Sequence, residues 1–496
     1  MNKDSRDFNF SFKSLCSIAA ILTAGYAIGH HKKQKSLIIR RAKNRKIMLA
    51  SLPLALMTTG PLTRKLIQKN VAKAITILTT DEYGKNVMEL WTAIHRAGVQ
   101  NIVENNLRAT QGTTINRPIG SSKRFDGFDN LMFVPPQMTM LSKSGETAVD
   151  MKVTLGPKAA KPLTVNIPLL ISGMAYGIAL SEPAKIALAR GAKLAGTATN
   201  SGEGPYLKEE RDEADKYILQ IANWPWGLRT DQEIASADML EVHISQGGQK
   251  GVFYIAPDEI KGKARKLMGL SRNQGISGLP APPGVQSAAD WPILVNNLRN
   301  KANGIPIALK LMATDKIEED LGLAVDAGFD VIAVDGTQGG SLVSNPTMQD
   351  DFGIPSLHAL VRAVRYLQNR GIREQISLIV SGGYFNPGSC LKALALGADA
   401  IYLGTVPLYA LVNKQHQKVI PWEPPTVLVS YASKYNKKLN INLSAERVSN
   451  VLRSMTVEME QAIRGLGKTS IKELSPSDLV ALDTFSAELT GVKRAY

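Results

Sequence analysis

Residues 305–340, IPIALKLMATDKIEEDLGLAVDAGFDVIAVDGTQGG, restrict the fold of this chain more than any other stretch. The opening run, IPIALKL, is apolar almost throughout, as expected of a parallel strand buried on both faces. Residues 315–327 follow with apolar side chains at Ile317, Leu321, Ala324 and Val325, a helical spacing, and Gly328 stands where a helix should stop. A second apolar run, 331–334, leads straight into Asp335-Gly336-Thr337-Gln338-Gly339-Gly340. This is one complete βαβ unit. Lys310 lies in the last turn of its first strand, and Asp335 with its glycines lies just past the second. In a (β/α)8 barrel the carboxyl ends of the strands are where ligands and chemistry are found. A lysine inside an apolar strand is costly to bury and calls for an anionic partner. The alternative is a strand end whose lysine snorkels to solvent.

The rest of the chain repeats the unit. Apolar strand patterns fall at 165–173, 195–199, 217–222, 239–245, 305–311, 331–334, 376–380 and 400–403, with helical patterns between most of them. Ser181-Glu182-Pro183 has the form of a helix start, and 357–368 and 388–396 are the clearest helices. Eight strands alternating with helices over about 240 residues predict a (β/α)8 TIM barrel at 165–412. A doubly wound open sheet is the competing architecture, but no GxGxxG follows any strand. Residues 81–164 are expected to form a helical and irregular wrap, and 413–496 a helical extension. The Gly- and Pro-rich stretch 246–304 leaves the carboxyl face after the fourth strand, so it is expected to be an active-site insertion or lid. Ser381-Gly382-Gly383 ends the seventh strand and Gly404-Thr405 the eighth. Glycines at these two ends, near a helix N-terminus, let backbone N–H groups approach a phosphate.

Charge separates the ends of the chain. The net charge is +16, yet residues 1–80 hold 15 Lys/Arg against two Asp/Glu and account for +13 of it. The body is nearly neutral, which argues against nucleic-acid binding. The basic leader contains two apolar stretches, 14–29 and 47–60, on either side of HHKKQKSLIIRRAKNRK. Both fall short of the roughly 20 residues of a spanning helix. Residues 1–60 are a candidate membrane anchor that would keep the body on the cytoplasmic side; an amphipathic region held to anionic lipid by charge is the other reading. No small-x-small site precedes the basic run, so a cleaved signal peptide is not expected. Two cysteines, Cys16 and Cys390, exclude a four-cysteine zinc or iron–sulfur site from this chain alone, and no metal site is predicted.

Several ordered motifs resemble the FMN-binding synthase domain of the glutamate synthase large subunit, in its stand-alone archaeal-type form. They are ISGMAYGIALSE, NSGEGPYLKEER, VHISQGGQKG, ALKLMA, VDGTQGGS, VSGGYFNPGSCLKALALGADAIYLGT and AIRGLGKTSIKELSPSDLVALD. The resemblance implies an FMN whose phosphate lies on Ser381, Gly382, Gly383, Gly404 and Thr405. Its ring would lie over Ser172, Gly173, Met174 and Ala175, with Asp335, Gly339 and Gly340 beside it. Lys310 would face the edge of the flavin where negative charge builds on reduction. Glu203 and Gln246 match positions lining the pocket for 2-oxoglutarate or its imine, and His243 faces the same mouth. The implied activity is an oxidoreductase acting on CH–NH2 donors, which converts 2-oxoglutarate, as 2-iminoglutarate, to L-glutamate. A separate electron donor and a separate glutaminase subunit would be its partners. The cluster-binding cysteines of the family are absent after Leu408, and Gln249 stands where the family usually has lysine. Those departures leave two further readings: a flavin oxidoreductase on another amino or keto acid, and a membrane-tethered flavoprotein that passes electrons.

Overall fold

The computed structural model describes residues 65–83, 86–249, 253–341 and 344–496. The apolar stretches 14–29 and 47–60 lie outside them. Among the described residues, no helix is long and apolar enough to cross a membrane. The chain divides into two compact units, 1–110 and 111–496. In the first, residues 65–80 are helical, and Glu89–Ala97 and Val99–Gln111 follow as two more helices.

The second unit is a (β/α)8 barrel. Its strands are β1 (Leu169–Ile171), β2 (Ala198–Asn200), β3 (Lys216–Ile221), β4 (Met239–His243), β5 (Ile307–Met312), β6 (Val331–Asp335), β7 (Ser377–Ser381) and β8 (Ala400–Leu403). All ladders are parallel, and the order around the sheet is β1-β8-β7-β6-β5-β4-β3-β2. The two terminal strands meet at a seam that is not a ladder. There Thr197 Oγ1 donates to Leu169 O at 2.7 Å, and Asn166 N donates to Gly196 O at 2.8 Å. Six helices that bear on the argument are α1 (Glu182–Ala195), α2 (Asp290–Lys301), α3 (Ile317–Ala327), α4 (Ser356–Asn369), α5 (Pro387–Ala395) and α6 (Thr405–Val412). A seventh, α7 (Ile441–Gly465), comes from the carboxyl-terminal extension.

Alternation along the strands sorts the side chains. Leu309 and Leu311 of β5 and Leu240 and Val242 of β4 point outward into the large core beneath the helices. Ala308, Met239, Ile218, Ala198, Val331, Ile379 and Ala400 point inward and form the lower filling of the barrel. A short antiparallel pair, Val153–Leu155 with Leu163–Val165, adds its apolar face to that filling and closes the amino-terminal end. Two residues further along, five of these strands turn polar at the inward position, with Asn200, Gln220, Glu241, Lys310 and Ser381, while β6 keeps Ala333 and β8 has Tyr402.

The stretch 246–304 carries secondary structure of its own. Its last part is α2, whose Leu294, Val295 and Leu298 join the outer core as an ordinary barrel helix would. The part before it forms a strand pair, Tyr254–Ile255 with Ile276–Ser277, and the helix Gly262–Leu267. Ile255, Ile260, Ala264 and Met268 pack there with Tyr176, Leu207 and Trp224 in a separate small core.

Helix α7 lies against α1, and Gly191 leaves no room between them. A Cβ built on Gly191 would sit 2.7 Å from Val448 Cβ and 3.0 Å from the Ala445 carbonyl oxygen. Glycine-to-alanine inside a helix normally stabilises by about 1 kcal/mol. Here overpacking reverses the sign, and Gly191→Ala should destabilise by about 1–3 kcal/mol. Urea unfolding followed by circular dichroism measures this; a variant more stable than the parent would refute the α1–α7 packing.

Candidate active site at the carboxyl end of the barrel

The inward polar layer is built around Glu241. One of its carboxyl oxygens accepts from Asn200 Nδ2 and Gln220 Nε2, each at 2.8 Å, and the other accepts from Tyr402 OH at 2.6 Å. Asn200, Gln220, Glu241 and Tyr402 are all buried. Their four strands are thus tied together from inside, and burial with the adjacent Glu241 pushes the Tyr402 hydroxyl well above its ordinary pKa.

Lys310 stands one position above this network. It is 1% exposed, lies opposite His243 of β4 and Ala333 of β6 in the ladders, and places Nζ 5.7 Å from the centre of the Tyr402 ring. Its ammonium donates to Gln246 Oε1 at 3.2 Å and to Ser172 Oγ at 3.4 Å. Both are neutral oxygens, and among the described residues Lys310 has no ion-pair partner within 4 Å.

His243 is 2% exposed, and neither ring nitrogen has a hydrogen-bond partner among the described residues. Burial lowers its pKa, and the Glu203 carboxylate, 3.7 Å from Nδ1, acts the other way. Asp335, at the end of β6, is also buried, with Oδ1 unpartnered. Burial raises its pKa, and the Lys310 charge pulls it back down.

Gln249 connects the loops above the layer. It donates to Glu203 Oε1 at 3.1 Å and accepts from Gln246 Nε2 at 3.1 Å and Ser341 Oγ at 2.6 Å. Gln246 also donates to the Gly340 carbonyl at 3.0 Å, and Trp224 Nε1 donates to Glu203 Oε2 at 3.0 Å. The loops after β2, β3, β4 and β6 are therefore fastened to one another by neutral amide, hydroxyl and indole groups.

These loops surround a cavity of about 350 Å³. Ser172, Gly173, Met174, Ala175, Glu203, Gln246, Asp335, Gly339, Gly340, Ser381, Gly382, Gly383, Gly404 and Thr405 all border it. Lys310 and His243 do not; they lie directly beneath, with Lys310 held by two residues of the wall. One end of the cavity is formed from backbone. Gly382 and Gly383 have φ of +100° and +83°, and a Cβ on either would come within 3.0 Å of Ser356 Oγ or Gln338 Cβ. Helix α6 begins beside them with Gly404 as a cap that has no side chain, so its first N–H groups have no intrahelical partner. Helix α5 is different: Asn386 caps it, accepting from Ser389 N at 2.8 Å. A glycine pair with positive φ next to an uncapped helix N-terminus fits a phosphate group.

Several site residues escape the sequence reading. Glu241 in MLEVH and Gln220 in KYILQI carry the same signal that singles out Lys310, a polar residue inside an apolar strand. Leu408, Thr426, Val427, Val429 and Ser430 form a wall from the chain after β8. They have no motif, and only the folded structure brings them to the cavity.

The family model described as the conserved region in glutamate synthase matches residues 124–469. A glutamate synthase large subunit-like protein of Rhizobium meliloti is 30% identical over 76% of this chain and 90% of its own length. An archaeal-type glutamate synthase [NADPH] of Thermotoga neapolitana is 30% identical over 72% of this chain and 70% of its own. Among solved structures, a mutant flavocytochrome b2 with pyruvate bound covers 85% of this chain and 92% of its own at 18% identity. Its TM-score is 0.48, a likeness too loose to bear on function. With the match running through the whole barrel, from the segment before β1 to just past the end of α7, the chain belongs to the glutamate synthase family.

Proposed function

We propose that this chain is an FMN-dependent oxidoreductase that reduces 2-oxoglutarate, as 2-iminoglutarate, to L-glutamate, using electrons from a separate donor. The observation that carries the reading is Lys310: a buried ammonium, held only by neutral oxygens, below a cavity that has a phosphate-type cradle at one end. When bound, FMN would supply the two-electron chemistry between the donor and the imine carbon.

The residues of the chain supply the rest. Ser381, Gly382, Gly383 and the first turn of α6 at Gly404 and Thr405 would hold the phosphate through N–H groups. The strand-end segment Ser172, Gly173, Met174 and Ala175 would carry the ring, with Asp335, Gly339 and Gly340 packed beside it. Lys310 would offer a fixed positive charge to the edge of the ring that becomes negative on reduction, a preorganised arrangement that needs no reorientation during the reaction. Glu203 is held by Trp224 and Gln249, neither of them charged, so its charge remains available to the cationic nitrogen of an iminium or ammonium. Gln246, on the cavity wall, would orient the substrate as a hydrogen-bonding group, with His243, its pKa lowered by burial, beneath the cavity floor. Ammonia would come from a separate glutaminase or from solution.

Two measurements test this reading. Purified protein should be yellow, release FMN rather than FAD, and contain no stoichiometric iron. Its flavin, once reduced, should be reoxidised by 2-oxoglutarate plus ammonia under anaerobic conditions. A colourless folded protein, or a reduced flavin indifferent to that mixture, would overturn it.

Lys310→Met removes the charge at nearly constant volume, so the barrel should fold and retain FMN through its phosphate cradle. Losing one charge interaction of about 1.5–3 kcal/mol should lower the two-electron potential by some tens of millivolts, about 30 mV per 1.4 kcal/mol. Turnover should fall about a hundredfold or more. Unchanged potential and activity in a flavin-loaded variant would reduce Lys310 to a structural lysine.

A further inference from the structure

Among the described residues, two carboxylates border the cavity, Asp335 and Glu203. The turn that follows β3 holds the second of them from behind. Residues 223–229, NWPWGLR, fold back on the strand: Ala222 N donates to Gly227 O at 3.3 Å, and Gly227 N donates to Trp224 O at 2.8 Å. Position 227 has no space for a side chain, since a Cβ there would meet Ala222 O at 1.8 Å. The turn lays Trp224 and Trp226 face to face, with ring centres 5.2 Å apart and planes 3° from parallel. Both indole N–H groups then go to one residue. Trp224 Nε1 donates to Glu203 Oε2 at 3.0 Å, and Trp226 Nε1 donates to the Glu203 carbonyl at 2.9 Å.

Arg229 ends the turn. Its φ of +59° lies in the left-handed region, which is uncommon for a residue with a side chain. Its buried guanidinium donates through Nη2 to Gly204 O at 2.8 Å and Gly202 O at 3.4 Å, and through Nε to Gln220 O at 2.7 Å. The carbonyls of residues 202, 203 and 204 are thus all held by side chains of one turn. Gln220 in turn donates from its side chain to Glu241, which ties the arrangement to the inner layer of the barrel. On the other side, Gly202 packs on the backbone of Met174 and Gly204 on that of Tyr176. Burying a guanidinium on carbonyls rather than on a carboxylate is costly. Such a cost is expected where the place of a loop matters to the chemistry.

We propose that Trp226 and Arg229 are positioning residues of the reaction. They fix the backbone on both sides of Glu203, so that its carboxylate, steadied by Trp224 and Gln249, meets the cationic nitrogen of the substrate at a set place in the cavity. The proposal rests on the reading of Glu203 as the partner of that nitrogen. Neither Trp226 nor Arg229 borders the cavity, so each acts through Glu203. A reacting group displaced by about 1 Å can cost on the order of a hundredfold in rate.

Arg229→Lys keeps the charge but cannot span all three carbonyls, and Trp226→Phe keeps the stacked ring while removing its donor. In full-length flavin-loaded protein carrying either change, reoxidation of the pre-reduced flavin by 2-oxoglutarate plus ammonia should slow at least about tenfold. FMN affinity and reduction potential should stay at the parent's values. The deciding comparison is made in an E203Q background, where R229K and W226F should each change the rate by less than about twofold, because the carboxylate they position is already gone. Should R229K fail to fold, W226F carries the same cycle. The same fold-loss in both backgrounds would mean that the turn only supports the fold, and would overturn the proposal. So would the parent's rate in both single variants. A second readout does not depend on turnover. In an isotope-edited NMR spectrum, R229K should speed solvent exchange of the Trp224 and Trp226 indole N–H groups at least about tenfold and leave Trp91, Trp291 and Trp422 unchanged; no change at Trp224 and Trp226 refutes the clamp. If those two signals respond to R229K but the parent's reduced flavin is not reoxidised by 2-oxoglutarate plus ammonia, the functional reading fails and the clamp on Glu203 stands.

Discussion

An ammonium in a protein interior with only neutral oxygens for company is costly, by several kcal/mol after all relaxation. Lys310 is in that position, and much of the barrel's upper half can be understood as what makes it tolerable. Its stem is fixed by strand pairing on both sides, to β4 and to β6. Below it lie the Tyr402 ring and the Glu241 network, whose three donors leave no oxygen of that carboxyl without a partner. Above it the ammonium meets Ser172 and Gln246, residues of the cavity wall. The Asp335 carboxyl, close enough for the Lys310 charge to lower its pKa, borders the same cavity.

The strands were legible because parallel strands buried on both faces are short apolar runs, and glycines punctuate their ends. Lys310, Asp335 and the two glycine ends could be picked out for the same reason: each interrupts or terminates such a run. Glu241, Gln220, Asn200 and Tyr402 carry comparable signals but become a unit only through ladder register, which pairs residues far apart in the chain. The helix α2 lay hidden in a stretch whose glycines and prolines belong to the part before it. The wall after β8 has no local pattern at all, since Val427 and Ser430 matter only for where the chain returns. The identity of the helix N-terminus beside the glycine pair was likewise a matter of capping. Asn386 closes α5 with its own side chain, and Gly404 leaves α6 open.

Neutral fastening also distinguishes the loops around Glu203. Gln249, Gln246, Ser341 and Trp224 hold it and one another without a cation among them. A lysine at 249 would have neutralised the carboxylate before any substrate arrived. A glutamine holds it by a hydrogen bond without neutralising it. The rim is thus stiff in geometry and unsatisfied in charge, which is the combination that favours selection by charge over selection by shape.

The seam between β1 and β2 has a mechanical consequence. Seven of the eight strand junctions are ladders, whereas the eighth is held by a threonine hydroxyl and one backbone contact. The Asn200–Glu241–Tyr402 network spans that junction from inside, joining β2 to β8 past the unladdered edge of β1. The ends of β1 and β2 lead into the segment at Ser172 and the loop of Glu203, where close backbone packing takes over from the missing ladder: a Cβ on Gly202 would lie 2.5 Å from Met174 C, and one on Gly204 2.2 Å from Tyr176 O.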